Sequence, residues 1–272
     1  MSSLPTIYLA IPALLAAGAA AGFAGGLFGI GGGFVVVPVL IFLLPLLGVV
    51  PAEIAHVAVG TSLASIIFTS IRSTLSHAER DAVDFSLLRS WAIWVVLGTA
   101  VGTMVAGLVS SRQLGLIFGI GVMAFAVYFL LPARKGAPLF AGLPTGLSRV
   151  GIASALGAFS TLLGIGGGTV TTVTMTICGA PIHRAIGTAA GMGAIIALPS
   201  TVGFMIIGYG EAGVGWGSLG YVSLPAAAAL IATSVFSAPY GVAAAHHLPA
   251  AILRPFFGLY LAMIGVIMIT RF

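Results

Sequence analysis

Read for its hydrophobic and polar positions, the chain is a series of long apolar runs separated by short polar breaks. Ten runs can be drawn, at about 6–28, 33–50, 56–76, 88–110, 112–132, 149–164, 168–180, 184–208, 220–246 and 250–271. They are continuous rather than alternating, so they predict helices and not the strands of a β-barrel, which alternate every second residue. Many approach the roughly 20 apolar residues that a helix needs to cross a bilayer. Two polar stretches interrupt the pattern, His77-Ala78-Glu79-Arg80-Asp81-Ala82-Val83-Asp84 and the stretch from Pro132 to Pro144. The second divides the chain into a first unit over 1–132, a cytoplasmic linker over 133–148 and a second unit over 149–272.

The two units repeat one another. Gly29-Ile30-Gly31-Gly32-Gly33 matches Gly164-Ile165-Gly166-Gly167-Gly168, and His56-Val57-Ala58-Val59-Gly60-Thr61 matches His183-Arg184-Ala185-Ile186-Gly187-Thr188. Later in each unit Gly102 matches Gly241, and Phe118-Gly119 matches Phe257-Gly258. The blocks keep their order while their spacing drifts, as after duplication with small loop insertions. Each unit holds five runs. Five is odd, so the second unit enters the membrane from the opposite side, and the repeats are inverted. A re-entrant hairpin at the start of each unit leaves three crossings, and the parity holds. The expected fold is therefore an all-α polytopic membrane protein of two inverted repeats, with Gly-rich helix breaks near the midplane.

Composition agrees. Of 272 residues, 60% are hydrophobic and 6% charged, against about 25% charged in a soluble domain. A solvated surface cannot be covered with so few charges, and a mean hydropathy of +1.22 fits a membrane protein. The net charge of +5 is scattered between apolar runs, which argues against nucleic acid and for orientation. Arg72, Arg80, Arg89, Arg134, Lys135, Arg149, Arg184 and Arg254 fall on one side, and Arg112 and Arg271 on the other. The positive-inside rule makes the first side cytoplasmic and puts both termini outside. No Lys or Arg precedes Arg72, so the first run reads as a retained span rather than a signal peptide. The lone Cys178 allows no intrachain disulfide and no thiolate cluster.

The Gly-rich pair carries the candidate chemistry. Successive glycines are poor helix interior, at about 1 kcal/mol each relative to Ala, and broken backbone in a membrane must be buried in protein or line a cavity. Each break precedes a helix, starting at Phe34 or Thr169, whose first amides lack intrahelical partners and carry the positive end of the dipole. Two such ends facing one cavity make an anion site built from main chain. The candidate substrate-binding residues are Gly31, Gly32, Gly33, Phe34, Thr61, Ser62, Gly166, Gly167, Gly168, Thr169 and Thr188. The competing reading is that the glycines serve only close helix packing and that the hydroxyls cap or bond back to their own helix. His56, His183 and Arg72 are candidates for proton coupling or gating, set against interfacial or anchoring roles. Glu53, Glu79, Asp81, Asp84 and Glu211 all fall in predicted loops. A cation carrier usually places a carboxylate within its spans, so the acids too favour an anion. His246 and His247 are adjacent, hence divergent on a helix, with no carboxylate near them, and no metal or other cofactor is expected. Gly98 and Gly102 have the spacing of a helix-packing pair, suited to a homodimer face or to packing within the bundle.

With these blocks in view, the chain resembles the TauE/SafE sulfite exporter family, also called a toluenesulfonate uptake permease family. GFAGGLFGIGGGFVVVPVL, AVGTSL, HAERDAVDF, the second GIGGG, GYVSLPA and AHHLP carry the resemblance over nearly the full chain. It implies transport of sulfur-containing anions such as sulfite or an organosulfonate like sulfoacetate, with family members serving both uptake and export. Combined with the inverted repeats, the expectation is a secondary transporter in a bacterial-type cytoplasmic (inner) membrane, exporting by alternating access. Its partners are then a small anion and the lipid bilayer, with no nucleic acid. A passive anion channel or an uptake permease for another small oxyanion is the alternative. An enzyme is not expected, since neither a GxSxG elbow nor an HExxH pair occurs.

Overall fold

The computed structural model describes residues 4–131, 142–247 and 250–272. The apolar runs form α1 (Leu4–Phe28), α2 (Gly33–Leu43), α3 (Ile54–Ala78), α4 (Phe85–Leu108), α5 (Ser111–Leu130), α6 (Gly146–Leu163), α7 (Gly168–Ile177), α8 (Ile182–Ile207), α9 (Leu224–His247) and α10 (Ala250–Arg271). A 3-10 turn, Leu44–Leu47, extends α2. The one departure from an all-α fold among the described residues is a small antiparallel ladder, β1 (Ser218–Leu219) with β2 (Val222–Ser223). Residues 133–141 of the expected linker, with Arg134 and Lys135, lie outside the described residues, and α6 begins within its last few positions.

Helix length sorts these elements. Among the described residues seven of them, α1, α3, α4, α5, α6, α8 and α9, are long and apolar enough to cross a membrane. The 11 residues of α2 and the 10 of α7 rise only about 15 Å, half of a hydrocarbon core. Starts are set locally. The Asp84 carboxylate accepts the Leu87 N–H at 3.0 Å to cap α4, and Ser110 with Gln113 forms a reciprocal capping box on α5.

Packing is reciprocal between the two halves of the chain. Helix α1 lies along α9 as α6 lies along α4, while α3 pairs with α8 and α5 with α10 across the halves. Small residues permit the close approaches. A Cβ on Gly22 would strike the Ser234 carbonyl, and one on Gly26 the Ala238 carbonyl, so α1 seats on α9 through glycine. Gly98 and Gly102 meet Ser154 and Ala158 in the same way, so this pair packs α4 on α6 inside the bundle and is not a dimer face. Phe28, Phe34, Phe125, Phe129 and Phe257 form a linked aromatic cluster between α1, α2, α5 and α10. The most enclosed span is α3.

Candidate functional site

The two Gly-rich breaks adopt the same backbone. Gly29, Gly31 and Gly32 have φ of 68°, 68° and 84°, and Gly164, Gly166 and Gly167 have 60°, 65° and 71°. Any other residue is strained in this left-handed region, which is why the breaks need glycine at these positions. Each turn delivers the chain into a half-length helix, α2 or α7, with Gly32 or Gly167 at the N-cap.

The two turns lie against each other. A Cβ on Gly33 would run into the carbonyl oxygen of Gly164, and a Cβ on Gly168 into that of Gly29. Each turn also rests on a long helix of the other half. Gly29 abuts the Ile186 carbonyl on α8, Gly164 packs beside Val59 on α3, and the Ser62 hydroxyl donates to the Gly164 carbonyl at 2.9 Å. Gly31 and Gly166 both face the side chain of Ile66. The structure thus gathers Gly31, Gly32, Gly33, Ser62, Gly166, Gly167 and Gly168 into one place.

Three further hydroxyls are buried there or nearby without a hydrogen-bond partner. Ser70 is 0% exposed, and its Oγ lies against Gly31 and Gly193. The Oγ of Ser160 lies beside Gly167, and Thr169 follows Gly168 at the start of α7. A buried hydroxyl left unpaired costs about 1–3 kcal/mol. All three stand close to the glycine turns from which α2 and α7 start. Ser70 and Gly193 were not singled out in the sequence, because serine and glycine within a helical run read as packing.

The remaining candidates separate from this centre. The side chain of Phe34 packs edge-on to Phe125 and Phe257, and its carbonyl accepts from the Tyr260 hydroxyl at 3.1 Å. Only its main chain belongs to the turn. Thr61 and Thr188 hold the chain where it enters the next helix pair. The Thr61 hydroxyl accepts the Ser223 N–H at 2.9 Å and the Thr188 hydroxyl accepts the Asp84 N–H at 2.8 Å. Arg72 stands half-buried on α3 beside Ser73, a buried serine without a partner.

The histidines mark the two ends of α3. His56, at its start, sits 2.9 Å through Nε2 from the Ala106 carbonyl and stacks on Tyr221 at 4.8 Å. It lines a recess of about 550 Å³ with Glu53, Ser111 and Arg112. Burial, together with Glu53 beside it, pushes the Tyr221 phenol well above its usual range. At the other end lies His77, which the sequence places in a polar loop. It is instead in the last turn of α3, wholly buried, with His246 and His183 stacked beyond it. An ion pair between Arg184 and Asp84, at 2.9 Å, closes the same end. Partial burial raises the Asp84 carboxyl, but bonds from Ser86 and Leu87 and the Arg184 charge outweigh it and hold the group below the usual carboxylate range.

Among the described residues, seven span-length apolar helices, with two half-length helices that start from buried glycine turns, define a multi-pass helical membrane protein. The chain belongs to the sulfite exporter TauE/SafE family, whose model matches residues 14–268. It is 33% identical over 257 residues to a probable membrane transporter protein of Haemophilus influenzae, covering 94% of this chain and 97% of that one. A probable membrane transporter protein of Methanocaldococcus jannaschii is 29% identical over 275 residues, covering 96% of each chain. No solved structure matches the chain. The protein is accordingly a membrane transporter of this family.

Proposed function

We propose that the protein is a secondary carrier of sulfur-containing oxyanions, sulfite or an organosulfonate such as sulfoacetate, exporting them across a bacterial-type cytoplasmic membrane. The observation that carries this reading is the reciprocal seating of the two glycine turns, Gly33 on Gly164 and Gly168 on Gly29. Two helix N-termini, α2 and α7, start from that contact, with the unpartnered Ser70, Ser160 and Thr169 hydroxyls around it. Oriented amides and hydroxyls suit a compact oxyanion without a fixed cation. The described acids lie at helix ends or in connections rather than within a span, which favours an anion over a cation.

The reciprocal helix pairing supports a mechanism of alternating access. Two inverted repeats would rock about the α3–α8 contact, opening the glycine turns first to one side and then to the other. Arg80 and Arg184 lie at the His183 end of the bundle, and Arg112 and Arg271 at the His56 end. The positive-inside rule makes the His183 end cytoplasmic, with both termini outside.

The test is flux of labelled sulfite into proteoliposomes with and without trapped unlabelled sulfite. A carrier gives saturable uptake accelerated by the trapped substrate. Unsaturable flux without counterflow identifies a channel instead. Counterflow of sulfoacetate but not sulfite moves the substrate within its class.

A further inference from the structure

The spans hold no described carboxylate to carry a coupling proton, and the end of the bundle where α3, α8 and α9 meet offers another carrier. There His183 is exposed, His246 half-buried and His77 0% exposed. The rings of His183 and His246 stack with centroids 5.0 Å apart, and His246 and His77 follow at 5.6 Å. The three imidazoles thus run in series from the surface to the buried end of α3, each step within reach of direct contact or one water.

The hydrogen bonding fixes which nitrogen is available. His77 Nε2 lies 3.2 Å from the Gly26 carbonyl oxygen. A carbonyl only accepts, so Nε2 carries the hydrogen, and Nδ1 of the neutral ring holds a lone pair. That Nδ1 is buried without a partner, and so is Nε2 of His246. Two orphaned imidazole nitrogens on neighbouring rings are costly as inert packing and useful as a proton path. The Gly26 bond places His77 on the last turn of α1, which runs directly into the first glycine turn.

We propose that His183, His246 and His77 form a proton path and that Nδ1 of His77 is the proton-binding atom of the carrier. This rests on the carrier reading above. The charges that act on His77 are those of Arg80, His246 and His183, and those acting on His246 are His183, Arg80 and His247. Of the acids in the connection after α3, Glu79 and Asp81 are exposed and Asp84 is paired with Arg184. A proton on His77 therefore adds charge to a basic surrounding. Arrival of an anion at the adjacent glycine turn relieves it, which couples proton to anion. The corresponding place at the other end holds a single imidazole, His56, stacked on Tyr221. A metal does not suit the cluster, because His183 and His246 stack at 15°, and parallel rings aim their lone pairs side by side rather than at one point.

The experiment compares wild type with His77→Gln, which keeps an N–H for Gly26 but binds no proton, and with the surface variant His183→Asn. Labelled-sulfite counterflow and accumulation driven by an imposed pH gradient are measured in the same proteoliposomes. The path predicts that counterflow persists in both variants. Gradient-driven accumulation falls to the no-gradient level in His77→Gln and slows several-fold in His183→Asn. Wild-type accumulation in either variant, or a wild type whose accumulation ignores the gradient, overturns the path and leaves the carrier standing. Absence of sulfite counterflow in wild type counts against the substrate alone. The path is then judged by 15N NMR of histidine-labelled protein in nanodiscs. It requires the titration of His77 to move in His246→Asn, and an unmoved or absent His77 titration overturns it.

Discussion

The hydroxyl of Thr61 accepts the backbone N–H of Ser223 across 2.9 Å, tying the first turns of α3 to the segment that enters α9. Thr188 does the same on α8 for Asp84 at the entry to α4. Both threonines are fully buried, but Asp84 is only half-buried while Ser223 is buried. Thr61→Val is expected to destabilise by about 1–3 kcal/mol, since a buried N–H is left without a partner. Thr188→Val loses less, about 1 kcal/mol. Thermal unfolding in detergent of Val and Ser variants checks this, and equal losses for Val and Ser would count against the hydroxyl.

The Asp84 carboxyl is held below its usual range in the folded protein by Ser86, Leu87 and Arg184. A depressed carboxyl contributes stability that is present above its unfolded value, about 3.9, and lost as pH falls through the lower folded value. Asp84→Asn is therefore less stable than wild type at neutral pH, and the gap narrows as pH falls below about 4. Denaturant titrations across that window would show it. A gap independent of pH would refute the assignment.

Gly33→Ala and Gly168→Ala place a methyl against a main-chain carbonyl of the opposing turn. Backbone cannot step aside as a side chain can, so both should fall in folded yield and lose transport. Gly151→Ala is the control. It lies on α6 with nothing within 4 Å of its new Cβ, and is expected to be neutral or stabilising by up to about 1 kcal/mol. Size-exclusion profiles of the three proteins decide it, and a well-folded Gly33→Ala would mean that the turns are not interlocked.

The Ser70 hydroxyl makes no hydrogen bond, so Ser70→Ala should unfold at or slightly above the wild-type temperature. If its hydroxyl meets the anion, the half-saturating sulfite concentration should rise about tenfold, the scale of a hydrogen bond to a charged group. Unchanged sulfite saturation in Ser70→Ala would remove Ser70 from the site.

Ten apolar runs became ten helices because hydrophobic periodicity and length are local signals. The repeated Gly-Ile-Gly-Gly-Gly and His-x-x-x-Gly-Thr blocks pointed to the turns and to the helix entries for the same reason. The structure could still divide these residues in ways that their spacing did not. Thr61 reads like its neighbour Ser62, yet one bonds to Ser223 and the other to the opposing glycine turn. His77 was hidden by the charges after it, Glu79, Arg80 and Asp81, which made the segment look like a loop. Its burial comes from α1, α8 and α9, contacts that lie far away in sequence. Ser70 was missed because its role is defined by what its oxygen lacks.

The interlocked glycine turns also bear on how the molecule is made. Gly33 needs Gly164 as its seat, and Gly168 needs Gly29, so the first turn is synthesised long before the surface it rests on. At about 5–20 residues per second, the ribosome leaves α1, α2 and α3 waiting on the order of ten seconds for their counterpart. During that interval the first glycine turn sits in the bilayer without the surface that it packs against. Completion of the second half is then what closes the first, and a chain truncated before α7 is a substrate for proteolysis rather than a smaller stable protein.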